Sequence, residues 1–288
     1  MAPRGETPQS EHRRLIVALR QAREAHQLTQ KEVADALDWS ASKLIRIEKG
    51  TVGISVTDLK ALLAHYEITD PDEVDEMVQM ARASKRTDWW QKYREVIPLD
   101  FYTFLGLEAS AVRIRQFQNL VVPGILQSPE YIKALLVGAE STPEQLQRGS
   151  EVRLRRQELI SEQGPEFFFI IDESVLHRMV GGVAAMREQL LKLREVGDSP
   201  RVSLRILPFS VGVYRAMKSA YEILELSEEY GDYALMVEQG YKDQLMQVPS
   251  DETGVYVSHF SRLERLACSE EETRHKLDER LKEIEKSG

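Results

Sequence analysis

Apolar positions recur at helical spacing from early in the chain. Leu15, Ile16, Leu19 and Ala22 share one face with Arg and Glu between them, which predicts a helix capped by Ser10 and ending near His26. Thr29 is placed to cap a short second helix over residues 30–37, and Asp38-Trp39-Ser40 reads as a turn. A third helix over 41–49 is expected to stop at Gly50, a residue suited to a left-handed C-terminal cap. Thr57 is expected to open a fourth helix with Leu59, Leu62 and Leu63 inward, and Asp70-Pro71 a fifth running to about Ala83.

The pattern loosens over residues 84–100, where Lys85, Arg86, Trp89, Trp90 and Tyr93 read as a linker with a helical piece. A helix is expected over 102–119, a break at Val121-Val122-Pro123-Gly124, and a helix over 130–138 after Ser128-Pro129. Thr142-Pro143 should open a long helix with Leu146, Val152, Leu154 and Leu159 inward and Arg153, Arg155 and Arg156 outward. The period then shortens. Residues 166–171 (EFFFII) read as an apolar strand with Phe167, Phe168 and Phe169 in the core, followed by helices over 172–180 and 184–196. Strands are expected over 201–207, 220–226 and 233–238, the last two paired around residues 227–232, and two helices over 253–267 and 270–286 finish the chain.

These elements predict a mainly α protein with an α+β C-terminal domain. Residues 1–10 form a disordered tail, 11–83 a five-helix domain, 84–100 the linker and 101–288 the larger α+β domain. A length of 288 residues suits two domains. Cys268 is the only cysteine, so no intrachain disulfide can form and a reducing compartment is expected. The first ten residues hold no apolar run, and nothing approaches a membrane span, so the protein is expected to be soluble and cytoplasmic.

The net charge of −9 is unevenly spread. Through Gly50 nine Lys and Arg stand against seven acids, a net of +2, which leaves −11 for the remainder. A mildly basic head on an acidic body permits local contact with nucleic acid and argues against broad coating of it.

The most informative stretch is QKEVADALDWSASKLIRIEK, residues 30–49. A helix-turn-helix needs a small residue where two helices cross and a tight turn between them. Ala34 is the small residue, Val33 and Leu37 face inward, Trp39 plugs the turn, and Leu44 and Ile47 form the buried face of the third helix. Asp38 stands where glycine is commonest, and aspartate tolerates the left-handed region better than most residues.

Residues 13–66 resemble the Xre/lambda-repressor type of helix-turn-helix domain, through LTQKEVADAL, SASKLIRIEKG and the helix that follows. The resemblance implies that residues 41–49 form a recognition helix for the major groove. Arg46 would contact guanine bidentately, with Ala41 and Ser42 near base edges. Thr29, Gln30, Ser40, Lys43 and Lys49 complete the expected DNA contacts, the lysines on phosphate. Glu48 is expected to steer Arg46 or Lys49. A two-fold dimer and a pseudo-palindromic operator follow.

Four segments of the second domain are similar to the C-terminal domain of WhiJ-like actinobacterial regulators: LGLEASAVRIRQFQNLVVPGILQSPEYIKAL, VRLRRQELI, IIDESVLHRMVGG and VSLRILPFSVGVY. That resemblance implies a regulator, here taken as a repressor, acting with a small partner protein encoded nearby in development or secondary metabolism. An antitoxin-like protein that mainly sequesters its partner is the alternative, and a small-molecule input is also open. Val122, Pro123, Gly124, Arg153, Arg156, Asp172 and Glu173 are the candidate partner or ligand residues; capping is the simpler role for the two acids, and an exposed helix face for the arginines.

Residues 214–218 (YRAMK) between two strands resemble a phospholipase-D-like half, whose chemistry needs a nucleophilic His two residues before the Lys; Ala216 stands there. With no phosphate loop, nucleophile elbow or metal-spaced His/Cys cluster, neither catalysis, a metal nor a cofactor is expected.

Overall fold

The first five helices form in the predicted order. The computed structural model describes residues 8–287 except 51, 85–88, 96, 139–141, 162–163, 228–230 and 240–242. The helices are α1 (Pro8–Ala25), α2 (Gln30–Ala36), α3 (Ala41–Glu48), α4 (Val56–His65) and α5 (Pro71–Ala83). α1 starts at Pro8 rather than after Ser10, since proline suits the first helical turn. Residues 8–10, expected in a disordered tail, are therefore helical; residues 1–7 lie outside the described residues. α4 is capped by Ser55, not Thr57: the Ser55 hydroxyl accepts from the Asp58 N–H. Asp70 caps α5 by accepting from the N–H groups of Asp72 and Glu73. Leu15, Leu19, Val33, Leu44, Ile47, Leu59, Leu62 and Tyr66 form the core of this bundle.

A short 3-10 helix spans Trp89–Tyr93, while Lys85 and Arg86 lie outside the described residues. The chain divides into two units between Lys92 and Tyr93.

The second unit is built on a six-stranded mixed sheet in the order β3-β2-β1-β4-β5-β6. Its elements are α6 (Leu99–Ser110), β1 (Arg113–Gln118), α7 (Pro129–Gly138), α8 (Pro143–Arg156), β2 (Glu166–Asp172), α9 (Ser174–His177), α10 (Gly182–Val196), β3 (Val202–Leu207), β4 (Tyr221–Glu225), β5 (Tyr233–Val237), β6 (Gln244–Met246), α11 (Asp251–Leu266) and α12 (Glu270–Ser287). β1, β2 and β3 run parallel, joined by helical crossovers; β4, β5 and β6 add antiparallel beside β1.

The expected helix over 102–119 is thus two elements. It ends at Ser110, and residues 113–118 pair with two strands. The charges in this stretch bind across strands: Arg113 reaches Glu225 at 2.8 Å and Glu166 at 3.1 Å, and Arg115 reaches Glu225 at 2.7 Å. The helix expected over 172–180 shrinks to one turn, because Asp172 belongs to β2 and its Oδ1 accepts from the Ser174 N–H. β6 was not expected. The paired strands over 220–226 and 233–238 form as β4 and β5; residues 228–230 of their connection lie outside the described residues.

α8 departs from its expected facing. Arg156 is buried and Leu154 exposed, the reverse of the prediction, while Leu146, Arg153 and Leu159 are half-buried. Phe167 and Phe169 stack at 5.4 Å in the core, and half-buried Phe168 lies on the opposite side of the strand beneath Arg113 and Arg115. Ile170, Phe117, Tyr221, Leu235 and Val237 pack against Phe260 and Leu263 of α11. Among the described residues no helix is long and apolar enough to cross a membrane.

Candidate nucleic-acid interface

The position of α3 is set from α2. Thr29 accepts from the Glu32 N–H while the Glu32 carboxylate accepts from the Thr29 N–H at 2.8 Å, a reciprocal cap that fixes where α2 starts. Asp38 takes the left-handed conformation that the turn requires, with φ of +55°. The Trp39 N–H then donates to the Ala34 carbonyl at 2.8 Å. Val33, Ala34, Leu44 and Ile47 are buried, with Leu37 and Trp39 half-buried against the same core. Gly50 ends α3 at φ of +70°, where an added Cβ would sit 2.9 Å from the Ile16 side chain.

This frame leaves Ser40, Ala41, Ser42, Arg46 and Lys49 exposed. The Arg46 Nε–H donates to the Ser42 carbonyl at 3.2 Å, which lays the guanidinium along the outer face of α3. The Ser40 and Ser42 hydroxyls lie 3.2 Å apart, and Ser40 makes no side-chain cap. Lys43 is half-buried: its Nζ donates to Asp58 at 2.8 Å and sits 3.8 Å from the centre of the Trp39 ring. The ammonium holds the Asp58 carboxyl below its ordinary range. Asp58 competes with a phosphate for the Lys43 ammonium.

Glu48 does not turn toward Arg46 or Lys49. It is buried and accepts two hydrogen bonds from Arg23, at 2.7 and 3.0 Å, and one from the Gln30 amide at 2.7 Å. Arg23 also donates to the Leu28 carbonyl at 2.8 Å. One buried carboxylate therefore ties α1, the start of α2 and the end of α3. The signal was present in the spacing, since position 48 falls one turn after Leu44 on the inward face.

His12 holds the same end of α3 from α1, its ring N–H donating to the Gly50 carbonyl at 3.3 Å. Burial pushes its pKa below the ordinary 6.5. The unfolded chain then binds the proton more readily than the folded unit, so this contribution to stability is complete above about pH 6.5 and erodes as pH falls below it. Denaturation of the wild type at several pH values from about 7.5 down to about 5.5 should show that slope, and His12→Gln should flatten it. Equal slopes in both proteins would remove His12 as the cause.

The candidate residues of the second unit fall in two places. Val122 and Pro123 are buried: the Val122 N–H donates to the Tyr131 hydroxyl at 3.2 Å, and its carbonyl accepts from Gln127 at 2.8 Å. Gly124 lies against Arg156, where an added Cβ would be 3.2 Å from Nη1. Arg156 is bound to Glu108, and half-buried Arg153 donates to the Gly149 carbonyl at 3.2 Å. Asp172 and Glu173 lie instead at the end of β2. Asp172 accepts from the Tyr214 hydroxyl; Glu173 binds Lys276 at 2.6 Å and the Phe209 N–H at 2.7 Å. Among the described residues no group of three or more His, Cys, Asp or Glu is arranged to hold a metal.

A capped helix, a left-handed turn and a second helix with an exposed cationic face define a helix-turn-helix DNA-binding domain, joined here to an α+β unit. A family model described as a helix-turn-helix domain matches residues 14–77. A second, described as a domain of unknown function (DUF5753), matches residues 101–279, more than half of the chain, and the protein belongs to that family. No curated protein and no solved structure matches the chain.

Proposed function

We propose that this protein is a sequence-specific transcription repressor that acts in the cytoplasm as a homodimer on a pseudo-palindromic operator. Its α+β unit receives a signal from a small partner protein or a small molecule. The observation that carries the reading is α3 itself: Leu44, Ile47 and Glu48 are held inside while Ala41, Ser42 and Arg46 are presented on one exposed face. The Xre and WhiJ-like assignments, and with them the partner protein, rest on the wording of the motifs. A second copy follows from the short reach of one recognition helix, which reads few base pairs. The reading gives the chain no catalytic role, since Ala216 stands where phospholipase-D-like chemistry needs a histidine.

Selection from genomic fragments with the purified protein, at fixed salt, tests this. The wild type is expected to enrich a short two-fold sequence. Arg46→Ala should lose about 1–3 kcal/mol of discrimination, roughly fivefold to 150-fold, at one base pair of each half-site. It should keep much of the non-specific affinity, which phosphate contacts supply. No enrichment by the wild type, alone or with cell extract added, would sink the proposal.

A further inference from the structure

A cavity of about 340 Å³ opens beside the start of β4 and the N-terminal half of α11. That volume lies within the range of small-molecule sites. Arg215 and Lys218, the ends of a short 3-10 turn, stand at its wall. Both are exposed, and neither has a hydrogen bond or ion pair among the described residues. Glu252 is the one acidic residue in the lining, so two cations face one carboxylate and a single positive charge is left over.

Three aromatic rings, with Ser219 and Val255, make the rest of the wall. Tyr221 and Tyr256 meet edge to face with centroids 5.1 Å apart, and His259 follows Tyr256 at 6.4 Å. Tyr221 is 1% exposed, yet its hydroxyl has no hydrogen-bond partner among the described residues. A buried hydroxyl without a partner costs free energy and calls for an explanation. Burial, with Arg215 and Arg262 nearby, pushes the His259 pKa below its ordinary value, which disfavours a further positive charge in the cavity.

We propose that this cavity binds a small aromatic monocarboxylate. Arg215 and Lys218 hold the carboxylate, an oxygen of the ligand accepts from the Tyr221 hydroxyl, and the ring lies against Tyr256 and His259. A doubly charged phosphate ester fits less well because Glu252 opposes the second charge. The site stands apart from the DNA-binding reading; only its use as the regulator's signal input rests on that reading.

Calorimetric titration of the full-length protein without DNA tests the site, with 4-hydroxybenzoate, phenyl phosphate and benzylamine as probes. Saturable binding of 4-hydroxybenzoate is expected, tighter than of the other two. Arg215→Gln with Lys218→Gln should weaken it by about tenfold or more, and Tyr221→Phe severalfold with the packing kept. Bound carboxylate should also raise the His259 pKa, read from its ring protons by NMR. The proposal is overturned by the absence of saturable 4-hydroxybenzoate binding, by unchanged binding in the double variant, or by preference for either other probe. No DNA is present, so a failure here leaves the operator experiment untouched, and failure of that experiment leaves this titration readable.

Discussion

Glu48→Ala should destabilise the helix-turn-helix unit by about 3 kcal/mol, because it leaves the largely enclosed Arg23 guanidinium with only the Leu28 carbonyl and the more distant Glu24. The Arg23 and Glu48 side chains are 12% and 3% exposed, and the pair is bidentate. The loss is geometric as well. Glu48 holds the last turn of α3 to α1 and, through Gln30, to the first turn of α2, so it sets the angle at which Ala41, Ser42 and Arg46 are presented. Hydrogen exchange on the full chain should show protection falling across α1–α5 while the sheet of the second unit keeps its own. Arg23→Lys should not substitute for the native arginine, since an ammonium cannot make the two-pronged contact. Arg23→Met with Glu48→Met should recover most of the stability, as apolar pairs of similar size commonly do in place of buried ions. A loss below about 1 kcal/mol in Glu48→Ala would mean that the pair is solvated in solution and does not set the helix angle.

The helix-turn-helix unit was legible because its signals are local. Thr29 as a cap, Asp38 in the turn, and Ala34 opposite Leu44 and Ile47 all lie within about fifteen residues of the groups they act on. Glu48 sat on the same legible face and was misplaced only because a charged side chain was assigned outward. The second unit fails where its interactions are distant. In residues 113–118 the apolar Ile114 and Phe117 stand three apart, a helical spacing, and the arginines and glutamines around them suggest a solvated helix until Glu166 and Glu225 are brought alongside. Arg156 stands beside Arg153 and Arg155 in an outwardly basic run, and its burial is decided by a carboxylate 48 residues away in sequence. The cavity beside β4 was hidden for the same reason: Arg215 and Lys218 meet Tyr256 and His259 only in three dimensions.

Arg156 should be the most sensitive position of the second unit, and Arg156→Leu is expected to cost about 3–5 kcal/mol. Its guanidinium donates to both oxygens of Glu108, at 2.8 and 2.5 Å, and lies 3.9 Å from Glu222. Phe101 and Phe104 lie 5.7 and 5.1 Å from its centre, and Gly124 leaves the room that a larger residue would fill. Without the cation, two buried carboxylates face each other. Burial, and next the charge of Glu108, already push the Glu222 pKa well above the ordinary 4.5. A raised carboxylate pKa gives stability that is present below about pH 4.5 and is lost as pH climbs through the folded-state value. Arg156 is the charge that opposes this rise, so removing it pushes Glu222 further up, and the deficit of the variant should widen from about pH 5 to about pH 8. Urea denaturation at both pH values measures it. Glu108→Leu added to Arg156→Leu should restore much of the loss by removing one of the stranded charges. A deficit that stays the same or shrinks as pH rises would show that Arg156 acts through packing over Phe101 and Phe104 rather than through its charge.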